Sequence, residues 1–366
     1  MIFLTILAWA LLAVFVIATV LPLSKVPFGI VRGGEFPREQ IFVLCLVLAV
    51  AFPFVQQGQV GVVGAAIAVL IAAVQLIYVV KFTPIWRKQS VTASDDLRSQ
   101  KDRQISLLTA NVKKSNRDYD RLVDMTQQRA PDIMMAIEVD ADWIAALKTG
   151  LADMYSHWVD VPRDNGYGLC LMSRLPLIDP QVRDLIVTDV PSIRTGVKLR
   201  GGQQLRLYVV HPEPPTLSHD TKGRDSEIAM VGLEAEKDNL PTIVTGDLND
   251  VAWSTTTRRF QRLSGLLDPR VGRGFYNTFS ATMPWMRWPL DHLFHDPKFR
   301  LIDMARLDKI GSDHFPMWFV LALTGEEAAK TDPGACEKEE LDETREMIAE
   351  EKKRSRDPIG SDWEDE

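Results

Sequence analysis

"PTIVTGDLND", residues 241–250, is the stretch on which the reading of the whole chain turns. An apolar run ends in Gly246, Asp247 and Asn249. In a strand, residues two apart face the same side, so Asp247 and Asn249 would point into one space. A strand running into a turn explains the same letters, because Gly, Asp and Asn are ordinary turn residues. The two readings separate on whether other strands end in the same way.

They do. Asn111 closes "ISLLTAN", Glu138 closes "IMMAIE" and His211 closes "LYVVH". Asp291 and His292 interrupt "PLDHLF", and Asp313 with His314 sits in "GSDHFPMWF". Each alone is a capped turn or a hydrogen-bonded core group. Recurrence at one end of several strands points to a shared site instead.

Around these residues, 103–324 alternates short β-rich runs with helical stretches. Strands are expected at 104–112, 131–139, 167–173, 197–200, 205–211, 241–249, 290–295 and 315–323. Several are apolar throughout, as strands buried on both faces are. Helices fit 116–130, 141–150, 221–238 and 255–264. The fold class is α/β, with paired sheets.

The 366 residues leave room for one large domain plus attachments. Residues 1–80 hold three basic and two acidic residues, 81–325 hold 32 and 31, and 326–366 hold 7 and 16, giving net charges of +1, +1 and −9. The first segment belongs in a membrane. "MIFLTILAWALLAVFVIATVLPL" is long enough to cross a bilayer and lacks the basic start and small-residue cleavage site of a signal peptide. Apolar stretches near 41–55 and 60–80 follow. Three spans are expected in 1–80, although the short second stretch also suits a re-entrant pair. Lys25, Arg32 and Arg38, with Lys81, Arg87 and Lys88, favour a cytoplasmic main domain by the positive-inside rule. Residues 81–102 read as a linker, and 325–366 as an acidic, solvated and disordered tail, with a helix over 337–354 as the alternative. The near-neutral middle lowers the expectation of a nucleic-acid grip, which needs a basic face. Cys45, Cys170 and Cys336 are scattered, so neither a zinc site nor a disulfide framework is indicated.

The strand-end residues have a common chemistry. A carboxylate such as Glu138 beside the amide of Asn111 suits a hard divalent ion, Mg²⁺ or Mn²⁺. His314 can meet a phosphoryl oxygen, with Asp291 orienting its ring. Asp247 is placed to take a proton from water, and Asn249 to donate to the attacked phosphate.

With "TANV", "IEV", "GYGLCLMSRLPL", "VVHPEPP", "GDLND", "PLDHLF" and "GSDHFPM" in order, residues 103–324 resemble the endonuclease/exonuclease/phosphatase superfamily. The resemblance implies a four-layer α/β sandwich of two packed mixed β-sheets with the site at one end. It assigns Asn111 and Glu138 to the metal, His211 and Asn249 to phosphate or leaving-group contacts, and Asp247 to activation of water. Asp313 takes a second metal or a supporting position, His314 paired with Asp291 stabilises the transition state, and Arg174 is structural. Lys113 stands where apurinic endonucleases of the family carry a further acidic position, which counts against nuclease specificity. The overall likeness is to bacterial members with three amino-terminal spans, some of which act on lipid-linked pyrophosphates at the outer face; the side of the membrane therefore stays open. The expected protein is a multi-pass protein of the inner cell membrane, a phosphoesterase acting on a small or lipid-linked phosphate or pyrophosphate. A nuclease is the alternative among enzymes, and a catalytically silent membrane-tethered binding module the alternative of another class.

Overall fold

The computed structural model describes residues 2–326 and 333–360. Its first helices are α1 (Ile2–Val20), the short α2 (Gly29–Gly33), α3 (Arg38–Val55), α4 (Gln59–Val79) and the short α5 (Asp95–Ser99). With their 3-10 extensions, three segments are long and apolar enough to cross a membrane: Ile2–Ser24, Arg38–Val55 and Gln59–Phe82. They pack on one another through Leu12, Phe15, Ile41, Phe52, Ala68 and Ile71.

The remaining elements are β1 (Gln104–Asn111), α6 (Tyr119–Arg129), β2 (Ile133–Ile137), α7 (Ala141–Leu151), β3 (His157–Val161), β4 (Leu169–Ser173), β5 (Leu177–Asp184), β6 (Pro191–Lys198), β7 (Gln204–Val210), α8 (Lys222–Lys237), β8 (Thr242–Asp247), α9 (Thr255–Ser264), β9 (Asp291–His295), β10 (Phe299–Arg306), β11 (Met317–Leu323) and α10 (Lys338–Glu351). The strands form two mixed sheets, ordered β10-β11-β1-β2-β4-β3 and β5-β6-β7-β8-β9. Alternation along each strand builds the layers. Ile105 and Leu107 of β1 meet Leu205, Leu207 and Val209 of β7 in the core between the sheets. Leu108 and Ala110 face α6 and α7 through Leu122 and Trp143, while Tyr208 and Val210 face α8 and α9 through Ile228 and Phe260. Helix, sheet, sheet, helix is the expected four-layer sandwich.

Topology gathers the polar strand ends. β1 runs parallel to β2 and β7 parallel to β8, so their carboxyl ends emerge together. β9 is antiparallel to β8 with Asp291 opposite Asp247, and β11 is antiparallel to β1 with Met317 opposite Thr109. The starts of β9 and β11 therefore lie at that same end.

Two expectations change. The segment 81–102 is stitched to the sandwich: Gly272 N–H donates to Lys81 C=O at 2.8 Å, Ala93 N–H to Leu301 C=O at 2.9 Å, and Ser90 Oγ lies 2.7 Å from His295 Nε2. The tail contains α10, which packs Ile348 against Ala229 and Leu263 and pairs Glu340 with Arg262 and Arg259. Its acidic residues find basic partners on α9, which composition alone does not reveal. Within the expected tail, 327–332 and 361–366 lie outside the described residues.

The sandwich also sits directly on the amino-terminal helical region, at the α2–α3 loop and the start of α3. Glu35 C=O accepts from Trp253 Nε1 at 2.7 Å, Glu35 Oε1 accepts from Thr255 N and Oγ1 at 3.0 and 2.8 Å, and Asn277 Nδ2 donates to Glu39.

Candidate active site

The eight residues that the resemblance assigns to the metal, the phosphate and the water lie at one end of the sandwich. Asn111 Nδ2 donates to Glu138 Oε1 at 2.6 Å and to Asp247 Oδ2 at 3.0 Å, joining the two sheets. Asn249 N–H donates to Asp247 Oδ1 at 2.9 Å. His314 lies between two carboxylates, with Nδ1 2.8 Å from Asp291 Oδ2 and Nε2 3.5 Å from Asp247 Oδ2. His211 Nε2 is 4.0 Å from Glu138 Oε1.

Local backbone conformation aims these groups. Glu138 and Asn249 both have positive φ, 65° and 51°, so each leaves its strand in a left-handed turn that side chains other than Gly, Asn and Asp seldom adopt. Such strain collects at functional sites. Gly246 has φ 144°, and a Cβ there would stand 1.9 Å from Val210 C=O. Only glycine lets β8 pass close enough to β7 at the site.

Burial and charge set the protonation states. For His314, burial opposes the charged ring, but Asp291 and Asp247 overcome it and raise the ring to about 10. His211 is buried with less compensation and falls to about 4, so it is a neutral imidazole. Burial lifts Glu138 to about 7, against the Asn111 hydrogen bond and with Asp313 and Asp247 adding to the rise. Burial likewise raises Asp247.

Asp247, Asp291 and His314 offer ligand atoms within 4.8 Å of one another. This spacing would also suit a metal. As it stands the trio is a charged relay in which His314 Nδ1 is hydrogen-bonded to Asp291 and Nε2 meets Asp247 as an ion pair. Glu138, Asn111 and the carboxylates around them present oxygen and no sulfur, and a hard divalent cation would offset both the burial that raises Glu138 and the smaller push from Asp313 and Asp247. Asn111 faces the carboxylates with its nitrogen, while its oxygen accepts from Lys113 N–H at 2.9 Å; as a ligand it offers that oxygen after a half-turn of the amide.

Asp313, expected at a second metal or a supporting position, pairs its carboxylate with Lys113 Nζ at 3.1 Å. Arg174 is structural, donating to Ala130 C=O at 3.2 Å.

Sequence reasoning missed Asp250 and Arg224. Arg224 Nη1 donates to Asn249 C=O at 2.9 Å and lies 3.6 Å from Asp250, which burial lifts to about 6 despite that arginine. Together they hold the "GDLND" turn from below. The only signal was the second Asp of the motif. Also missed was the cavity. A space of about 1230 Å³ has Glu138, His211, Asn249 and His314 on one wall and Gly33, Phe36, Val43 and Leu44, from α2, α3 and the loop between them, on the other. Trp285, Met286 and Trp288 complete its rim.

The family model described as "Endonuclease/Exonuclease/phosphatase family" matches residues 108–314, more than half of the chain. Among solved structures, an endonuclease/exonuclease/phosphatase from Beutenbergia cavernae DSM 12333 superposes with a TM-score of 0.50 at 21% identity, over 62% of this chain and 73% of that one. D. rerio TDP2 complexed with single strand DNA product gives 0.52 at 18% identity, over 60% and 99%. A family protein from Bacteroides thetaiotaomicron gives 0.50 at 17% identity, over 62% and 98%. At these identities the likeness is one of fold. No curated protein matches the chain.

Proposed function

Because the chain belongs to the endonuclease/exonuclease/phosphatase family, we propose that it is a membrane-anchored, divalent-metal-dependent phosphoesterase whose substrate is a phosphate ester or pyrophosphate carried on a lipid. The observation that carries this reading is the cavity. Its polar wall is the charged cluster, and its apolar wall includes Val43 and Leu44 on the first turns of α3. A substrate with a phosphate head and an apolar tail matches both walls at once. Tethering the site beside the bilayer also raises the effective concentration of such a substrate.

Glu138 and Asn111 are the residues that would hold Mg²⁺ or Mn²⁺, and the bound ion would neutralise charge on the phosphoryl oxygens. Asp247 accepts the proton of the attacking water. Its hydrogen bonds from Asn111 and Asn249 occupy part of the carboxylate's four lone-pair sites and leave room for that water. Water oxygen bonds to phosphorus as the bond to the leaving oxygen breaks. His314, kept protonated and oriented by Asp291, donates from Nε2 to the developing negative charge. His211, neutral, adds a second donor, and Asn249 a third.

The test uses full-length protein in detergent with Mg²⁺ or EDTA, offered a soluble phosphodiester, a phosphomonoester, plasmid DNA and a long-chain lipid pyrophosphate in micelles. EDTA-sensitive hydrolysis of the lipid substrate, lost in Leu44→Arg while soluble ester hydrolysis persists, is expected. Preferential cleavage of DNA would overturn the reading in favour of a nuclease. No hydrolysis of any ester by the folded protein would favour a silent binding module.

A further inference from the structure

The last described residues return to the active end of the sandwich. Beyond α10, Arg354 pairs with Asp220 at 3.0 Å. Arg356 then lays both terminal nitrogens on Glu213, Nη1 on Oε1 and Nη2 on Oε2, each at 2.5 Å. Ile359 N–H donates to the same Glu213 Oε1 at 2.8 Å, and its carbonyl accepts from the Tyr167 hydroxyl.

Glu213 stands two residues after His211 in the sequence His211-Pro212-Glu213-Pro214-Pro215, and it is only 2% exposed. A buried carboxylate is tolerated when it is paired and hydrogen-bonded, and the fork of an arginine meeting both oxygens is the strongest such pairing. The surroundings make the arginine necessary. Glu227 is buried nearby, and its Oε1 has no hydrogen-bond partner among the described residues, so the acid side of this pocket is already in excess. The start of α8 is shaped to admit the pair: a Cβ on Gly223 would stand 2.3 Å from both Arg356 Nη2 and Glu213 Oε2. The tail also reaches the cavity, where Gly360 and Tyr167 lie in the wall beside Pro214 and Pro215. Tyr167 in turn packs on the His211 ring, with centroids 5.4 Å apart.

We propose that Arg356 is a positioning residue: through Glu213, the C-terminal segment 354–360 clamps the loop that carries His211 and forms one wall of the substrate cavity. The inference rests on the phosphoesterase reading above. Among the described residues His211 Nδ1 has no hydrogen-bond partner, so its placement depends on the loop and on Tyr167, and the clamp holds both. Loss of the clamp displaces a phosphate donor without touching Glu138, Asn111 or Asp247. Turnover then falls while metal affinity stays.

The experiment compares full-length wild type, Arg356→Ala, Arg356→Lys and the paired Glu213→Gln/Arg356→Gln variant in detergent. Three readouts are taken: kcat and KM on a soluble phosphodiester, the Mg²⁺ concentration for half-maximal rate, and hydrogen exchange of residues 212–221. Arg356→Ala should lower kcat by about 10- to 100-fold, the loss typical of a reacting group displaced by about 1 Å. It should leave the Mg²⁺ titration unchanged and speed exchange in the loop. Lysine keeps the charge but not the fork, so it should recover only part of the rate. Wild-type exchange at 212–221 in a folded Arg356→Ala protein would overturn the clamp, and so would faster exchange with unchanged kcat. If Arg356→Ala does not fold, the paired variant, which removes both charges of the clamp together, decides by the same readouts. If wild type hydrolyses no phosphate ester, the phosphoesterase reading fails, while exchange still decides whether the clamp exists.

Discussion

Replacing Asp291 by Asn tests whether His314 acts as a charged donor. Asn fills the same space, and its oxygen can still accept from His314 Nδ1, where the carboxylate now sits at 2.8 Å. Only the charge is lost. The ring is raised from 6.5 to about 10; at about 1.4 kcal/mol per unit this favours the imidazolium by roughly 5 kcal/mol. Asp291, in hydrogen-bond contact, and Asp247, at 3.5 Å, supply it against burial. Because a ring starting from about 10 stays largely protonated at neutral pH even after losing part of that support, the loss at neutral pH is at most that of a less firmly held donor, roughly 10²-fold, and it grows as pH rises. His314→Ala removes the donor outright and should cost about 10²–10³-fold. The assay is steady-state kcat on a soluble phosphodiester at saturating Mg²⁺ for both single variants and the double. Because Asp291 acts only through the ring, the double variant should fall little below His314→Ala. Losses that multiply, to roughly 10⁴–10⁵-fold by the same estimates, would refute the relay and leave Asp291 as a turn residue bonded to Thr278.

Asp247→Asn should retain the fold and lose about 10²–10⁴-fold in kcat, because an amide cannot take the proton of the attacking water; a folded variant with most of its activity would remove Asp247 from that role. Glu138→Gln should raise the Mg²⁺ concentration for half-maximal rate, since a neutral oxygen competes poorly for a hard cation, and an unchanged titration would put the ion elsewhere. His295 gives a stability test. It is buried and held near 4, below its ordinary 6.5, with Nε2 accepting from Ser90 and Nδ1 donating to Asp296 C=O. The unfolded state therefore binds the proton first as pH falls. Stability is full above about 6.5 and is lost as pH drops toward 4, by about 3 kcal/mol for this residue. Denaturation midpoints of His295→Gln measured across that window should show a shallower pH dependence than wild type.

The strands that carry the site were legible because they are central. β1, β2, β7 and β8 have neighbours on both sides and apolar partners on both faces, so each is a continuous apolar run that stops at its polar terminus. Three edge strands were not legible, β3 and β10 in one sheet and β5 in the other, and of central β6 only Val197 and Lys198 fell within the expected 197–200, whereas β9, also an edge, was legible because it is buried throughout. "LIDPQVRD" in β5 has no buried residue, and β10 shifts register between Leu301 and Asp303. An edge strand shows water one side, and its sequence resembles a loop. Of the site, residue types and order gave Asn111, Glu138, His211, Asp247, Asn249, Asp291 and His314, because the chemistry of each is written in its side chain. Which carboxylate pairs with which ring depends on the antiparallel register that sets Asp291 against Asp247. Lys113 reaching Asp313, the apolar wall lent by Val43 and Leu44, and Arg356 meeting Glu213 across 143 positions of chain depend on how layers and helices dock. A sequence periodicity reports the neighbours of one element, and such long-range pairings have none; only the packed tertiary structure decides them.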